Sequence, residues 1–295
     1  MTVPERAASY RGLYINLDRS VERRERLEAQ LSITGLGGHY SRLTAVDGAT
    51  VQAPTSLVKP AELGCFLSHM RALDLARSWG VPVHVLEDDT ILSADLRLVI
   101  EDAIVSNLFD HFDIVYTDTF VHCDPFMLKW MKSVFDGVST RRPLRLADLQ
   151  VIDLSQQSFA GATSYIVGPR AAERVFALLQ HEIATGPKIA FDLFLRDQVL
   201  AGRLRAACVF PFLTSIRLET VNRSTLRGQD PRIDDPSVAV MAALRYSFFI
   251  DRDLENVAKP YLDAATRRAA AKSDLHREIL LQAIDFVMSD DFKAF

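Results

Sequence analysis

Short β-branched apolar runs alternate along this chain with longer stretches whose apolar residues recur at helical spacing. Gly12-Leu13-Tyr14-Ile15-Asn16-Leu17 reads as a first strand. A helix to about Leu31 follows, with Val21, Leu27 and Leu31 at core-like spacing and Asp18 or Ser20 as its cap. Residues 40–46 form the next predicted strand, stopped by the turn pair Asp47-Gly48. A strand–helix–strand unit of this length predicts a parallel sheet. Pro60 suits the first position of a long helix. Its stripe is Leu63, Phe66, Leu67, Met70, Leu73 and Ala76, and Gly80 is its stop. Residues 81–86 then read as a buried strand, and the character changes at once to Glu87-Asp88-Asp89.

Further on, Ser93 or Asp95 starts a helix carrying Leu96, Val99, Ile100, Ala103 and Ile104. Strands are expected over 113–117, 151–154, 159–167 and 204–210, and helices over 125–135, 170–180 and 191–201. Residues 137–147 are basic and irregular, and 214–235 are polar, with Arg217, Arg223, Arg227 and Arg232. From about Pro236 the composition changes, and 238–250 and 274–288 read as helices without an evident catalytic group. The expected organisation is therefore an α/β domain over 1–235 and a C-terminal helical appendage over 236–295.

The abrupt step from apolar strand to three acids points to chemistry. Unpaired buried carboxylates are very costly, so the acids belong where the strand leaves the sheet. In an open α/β sheet that edge is where ligands bind. A hard divalent cation with a diphosphate would relieve the repulsion among Glu87, Asp88 and Asp89. An acidic turn capping the following helix is the plainer alternative. Alternation puts Glu87 and Asp89 on one side and Asp88 on the other.

Other positions carry the same double reading. Arg19, Arg23 and Arg24 crowd the first helical turn, either to hold an anion or to pair with Glu22, Glu25 and Glu28. Asp47 lies at the ligand edge or simply holds its turn, and Asp118 ends its strand as a second edge carboxylate or an idle surface one. Gly64 inside a helix costs roughly 1 kcal/mol against Ala, so a strand or a ligand packs close to it and to Ser68-His69. The small residues from Phe159 to Val167, Gly161 among them, let a backbone approach a ligand. Asp192 sits early in its helix, where a carboxylate also suits the dipole.

Bulk properties narrow the class. Of 295 residues, 48% are apolar and 24% charged, an ordinary globular balance. A net charge of −4 gives no basis for general nucleic-acid binding. No apolar run reaches the roughly 18 residues of a membrane span, and the start lacks the order of a signal peptide. Cys65, Cys123 and Cys208 form neither a zinc spacing nor a disulfide framework, which fits a reducing cytoplasm.

Five pieces, in order, resemble glycosyltransferase family 25, whose bacterial members build lipopolysaccharide or lipooligosaccharide. They are Tyr14-Ile15-Asn16-Leu17-Asp18-Arg19 with Arg23-Arg24; Ala45-Val46-Asp47-Gly48; Glu62-Leu63-Gly64-Cys65-Phe66-Leu67-Ser68-His69; Val85-Leu86-Glu87-Asp88-Asp89; and Gly161-Ala162-Thr163-Ser164-Tyr165-Ile166-Val167 followed by Phe191-Asp192. The likeness covers residues 12–213; Thr90 stands where the family more often has valine. It implies a GT-A-type, Rossmann-like, mostly parallel sheet flanked by helices. It also implies a nucleotide-sugar donor such as UDP-galactose, a divalent metal (Mn²⁺ or Mg²⁺), and inversion at the anomeric carbon.

Carried over by position, Glu87, Asp88 and Asp89 match the metal motif, and Asn16 and Arg19 the nucleotide region. Asp47, Ser68, His69 and Gly161 match segments expected at the donor. Asp192 is the first expectation for the base, Asp118 the second, and Asp197 and Glu219 stay open. The expected acceptor is a saccharide or glycolipid, with the protein cytoplasmic or peripheral at the inner membrane. The C-terminal helices would pack, touch the membrane or form a homodimer. A metal-dependent phosphohydrolase and a silent nucleotide-sugar-binding module are the alternatives. The first lacks the usual Asp-x-Asp-x-Thr nucleophile pattern, and the intact acid triplet argues against the second.

Overall fold

The computed structural model describes residues 10–51, 56–121, 143–217, 245–246 and 248–251. The predicted helices 125–135 and 274–288, most of 238–250 and of the basic stretch 137–147, and Cys123, Glu219, Arg223, Arg227 and Arg232 lie outside them. In chain order the elements are β1 (Arg11–Asn16), α1 (Val21–Ile33), β2 (Tyr40–Thr44), α2 (Pro60–Trp79), β3 (Val83–Glu87), β4 (Thr90–Leu92), α3 (Leu96–Val105), α4 (Leu108–His111), β5 (Ile114–Val121), β6 (Gln150–Asp153), β7 (Phe159–Val167), α5 (Ala172–Thr185), α6 (Phe191–Leu200), β8 (Ala206–Phe210) and β9 (Thr214–Ile216). None of the described helices is long and apolar enough to cross a membrane.

Seven strands form one sheet in the order β2-β1-β3-β7-β5-β8-β6. β1 pairs parallel with β2 and β3, and β5 parallel with β8. β7 runs antiparallel between β3 and β5, and β6 antiparallel on β8. The sheet is thus α/β with helices on both faces, as the alternation of elements requires. Pleat alternation divides the core. Leu13, Ile15, Val83 and Val85 pack with Phe66, Leu73, Val175 and Leu195 from α2, α5 and α6. Tyr14 and Leu86 join Leu27, Leu31, Leu96 and Val99 from α1 and α3 on the other face.

Three departures from the sequence reading have physical causes. β4 and β9 form a separate two-stranded ladder, and each is too short to show a period of its own. β5 continues to Val121, so Asp118 is a fully buried residue inside the strand, not the carboxylate at its end. Its burial is tolerated because Arg245 meets it, as described below. Neither expected cap closes α1: Ser20 makes no capping bond, and Asp18 instead accepts from Arg42 at 2.5 Å.

The last described residues pack back onto the sheet domain. Phe249 bridges to Phe212, and Phe248 joins the core with Phe210 and Phe212. The stretch expected to be helical through Ile250 is therefore turn and bridge at 248–250.

Gly64 has a protein neighbour, not an empty flank. A Cβ there would meet Val46 O and Gly48 N, both at 2.6 Å, and one on Gly48 would meet Pro60 O at 1.8 Å. The 46–48 turn is thus locked against the first turns of α2. Ser68 staples the same contact, donating to Gly64 O at 2.6 Å and accepting from Val46 N at 2.8 Å.

Through the sheet runs a second lock. His84, fully buried, bonds Tyr40 Oη through Nδ1 at 2.6 Å and Ser164 Oγ through Nε2 at 2.8 Å. Thr117 then links Ser164 at 2.5 Å and Thr214 at 3.0 Å. Burial alone pushes the His84 imidazole down to about 3.

Two outcomes are expected. Gly64→Ala should lower unfolding free energy by about 1–3 kcal/mol, because the backbone clash exceeds the helix-propensity gain of about 1 kcal/mol; Gly37→Ala, with nothing within 4 Å, should be near neutral in the same urea titration. For His84 the unfolded chain takes up a proton below about pH 6.5 and the folded one only near 3. Stability should therefore fall as pH drops through that window, by up to roughly 1.4 kcal/mol per unit, and His84→Gln should flatten this acid limb relative to its own pH 7 value.

Candidate active site

The carboxyl ends of β1, β2 and β3 meet at one sheet edge, because the parallel register sets Asn16 beside Thr44 and Ile15 beside Glu87. A cleft of about 440 Å³ opens there. Its walls come from the β1–α1 turn (Leu17, Arg19, Arg23), the 45–49 turn, the start of α2 (Lys59, Pro60, Ala61) with Cys65, Ser68 and His69, and the acids Glu87, Asp88 and Asp89. This is where an open α/β sheet holds ligands.

The three acids are each held differently. Asp88 Oδ2 accepts from Asn16 Nδ2 at 2.8 Å, and its Oδ1 from Arg23 Nη1 at 3.2 Å. The same Arg23 Nη1 lies 3.8 Å from Asp89 Oδ2. Burial, followed by the charges of Glu87 and Asp88, pushes the Asp89 carboxyl up to about 7 against the pull of Arg23 and Arg245. Glu87 Oε1 lies 3.2 Å from His69 Nε2 and 3.7 Å from Cys65 Sγ. Burial raises the Glu87 carboxyl, but the His69 hydrogen bond and the nearby Arg245 outweigh it and hold it below the usual range. Burial, Glu87 and Asp192 push the Cys65 thiol well up.

Arg19 and Arg23 ion-pair with acids outside the first helical turn. Glu22 takes Arg26, and Glu28 accepts from Tyr14 Oη. Arg23 turns to Asp88 and Asp89, and Arg19, half-exposed, ion-pairs with Asp47. Asp47 also caps its turn by accepting from Ala49 N at 3.1 Å. That bond and Arg19 hold its carboxyl below the usual range. Both readings of Asp47 therefore apply: it holds the turn and lines the cleft.

Of the residues expected from sequence, Arg19, Asp47, Ser68, His69, Glu87, Asp88 and Asp89 all line this cleft. Asn16, Gly161, Asp118 and Asp192 do not. Asn16 is buried, its amide donating to Ser20 O and Asp88 and accepting from Arg42 Nε at 3.0 Å, so it positions the acid turn. Gly161, at φ +90°, faces Arg245: a Cβ would sit 3.4 Å from Nη1. Its N–H donates to Asp192 Oδ2 at 2.7 Å. Asp192 is half-buried, and its field reaches both Cys65 and Tyr116.

Arg245 is the residue that pattern reading passed over. It comes from the C-terminal segment, is buried, and grips Asp118 with two bonds of 2.5 Å. Burial works against its charge, but Asp118, then Asp89 and Glu87, outweigh it and raise the guanidinium above its ordinary range. The available signal was a lone arginine in the apolar stretch Val238-Ala239-Val240-Met241-Ala242-Ala243-Leu244-Arg245-Tyr246. Arginine seldom enters such surroundings without a partner. Cys65 was also passed over, although it lies one helical turn from His69 on the same face of α2. Tyr165, whose Oη lies 3.0 Å from His69 Nδ1, was visible only as part of a strand.

Comparison with the curated proteins found no relative that matches the chain. The model of glycosyltransferase family 25 (LPS biosynthesis protein) matches residues 11–195, which hold β1 through the first half of α6 and every residue lining the cleft. With a sheet-edge cleft built from matched segments over well more than half of its length, the chain belongs to glycosyltransferase family 25.

Proposed function

We propose that this glycosyltransferase moves a hexose, galactose from UDP-galactose, onto a saccharide acceptor of lipopolysaccharide, with inversion and with help from a divalent cation. The observation that carries the reading is the cleft itself, with Arg19, Arg23 and Lys59 beside Glu87, Asp88 and Asp89 at the carboxyl edge of a parallel β-unit. Basic side chains suit a diphosphate. The carboxyl of Asp89 is raised by burial first and then by the negative charges of Glu87 and Asp88, and crowded acids of this kind fit a cation among oxygen ligands. Glu87 and Asp89 would hold that ion, which would supply Lewis-acid neutralisation of the leaving diphosphate. Asp88, tied to Asn16 and Arg23, fixes the turn that presents them.

Inversion requires a base facing the anomeric carbon from the side opposite the leaving group. Asp118 is a poor base, because it is fully buried and both its oxygens accept from Arg245. Asp192 fits better. One of its oxygens is fixed by Gly161 N–H, and the other makes no hydrogen bond among the described residues. In this mechanism Asp192 takes the proton of the acceptor hydroxyl as that oxygen attacks, and Arg23 stabilises charge gathering on the diphosphate.

Incubating the protein with UDP-galactose, Mn²⁺ and a lipooligosaccharide acceptor should give a β-linked product by NMR. Asp89→Asn should lose transfer, whereas full activity of that variant in excess chelator would refute the cation's part. Asp192→Asn should lower kcat by about 10²–10⁴-fold with unchanged melting. Asp118→Asn should instead destabilise the fold by about 3–5 kcal/mol, because it leaves a buried guanidinium without its counter-charge; a stable, inactive Asp118→Asn protein would reverse the two assignments.

A further inference from the structure

Cys65, His69 and Glu87 bring three ligand-type side chains together. Their ligand atoms, Sγ, Nε2 and a carboxylate oxygen, all lie within 4.8 Å of one another. Cys65 and His69 are one turn apart on α2, and Glu87 ends the facing strand β3. Bonds of about 2.0–2.3 Å at tetrahedral angles set ligand atoms about 3.3–3.7 Å apart. The measured edges are 3.2 Å from Glu87 Oε1 to His69 Nε2 and 3.7 Å from Glu87 Oε1 to Cys65 Sγ. Both edges at Glu87 thus match a tetrahedral site, and the Cys65–His69 edge lies within 4.8 Å.

The surroundings are those of a built ligand. His69 is almost fully buried and stacks on Phe191 with ring centroids 4.2 Å apart. Its Nδ1 meets Tyr165 Oη at 3.0 Å, an outer partner that holds the ring with Nε2 facing Glu87. All three residues line the cleft, so the fourth corner opens to solvent or ligand. Sulfur and imidazole select a softer ion than an all-oxygen turn does.

We infer that Cys65, His69 and Glu87 form a three-ligand site for a thiophilic divalent cation of the Zn²⁺ type, open on its cleft side. Linear spacing hides it, because the third ligand comes from another element. Glu87 belongs both to this site and to the acid turn, so a soft cation here competes with a hard one there. The site needs neither a nucleotide nor an acceptor, so its test is separate from that of the transfer reaction.

The test uses the full chain, metal-free, with Zn²⁺ and Co²⁺ alone. Wild type should retain about one equivalent of Zn²⁺ through desalting. With Co²⁺ it should show a near-ultraviolet thiolate-to-cobalt charge-transfer band and the visible bands of a tetrahedral ion. Cys65→Ser should abolish the charge-transfer band and weaken Zn²⁺ retention by about tenfold or more, while Cys123→Ser and Cys208→Ala keep both. Metal-free circular dichroism and melting establish that each variant is folded. Substoichiometric Zn²⁺ in wild type, or a charge-transfer band that survives in folded Cys65→Ser, would overturn the site. The wild-type stoichiometry decides the matter even if Cys65→Ser does not fold.

Discussion

Mutual repulsion among carboxylates at the end of β3 is the constraint around which this protein is arranged. Glu87, Asp88 and Asp89 follow one another where a buried strand leaves the sheet. Each is countered by a group from elsewhere in the chain: Glu87 by His69, Asp88 by Asn16 and Arg23, and Asp89 by Arg23 with the field of Arg245. At Asp89 burial and the charges of Glu87 and Asp88 outweigh the two arginines and leave its carboxyl raised. Arg19, Arg23 and Lys59 line the same cleft as the three acids, so both signs of charge face it.

Rigidity around the acids comes from close backbone contact. Gly48 and Gly64 let the 46–48 turn press on α2, and Ser68 hydrogen-bonds across the seam. The turn carries Asp47, and α2 carries Cys65 and His69, so this packing sets one cleft wall against another. On the far side of β3, the buried His84 network ties β2, β3, β5, β7 and β9 together without charge. A neutral hub there adds nothing to the repulsion at the strand end.

The pair formed by Asp118 and Arg245 connects the family-matched region to the C-terminal segment. A buried ion pair brings little net stability over an apolar one, but it is strongly destabilising to break. Here it fixes a guanidinium near Glu87 and Asp89 and against Gly161, whose N–H orients Asp192. Phe248 and Phe249 anchor that segment on the sheet domain.

Sequence by itself determined most of the strands and helices among the described residues, the parallel β1–β2 unit, the stop of α2 at Gly80 with φ +65°, and the edge on which the acids fall. These are local: period, capping and turn chemistry act within a few residues. It also marked Gly64 as a site of close approach, although not what approaches. Only the tertiary structure decided the antiparallel place of β7, the β4–β9 ladder, the burial of Asp118, and which of two roles each polar residue takes. Asn16, matched to the nucleotide region, supports Asp88, and Gly161, expected at a ligand, faces Arg245. The reason is that partners such as Asp118 and Arg245, 127 positions apart, share no local pattern. Their attraction exists only once burial has removed the water between them.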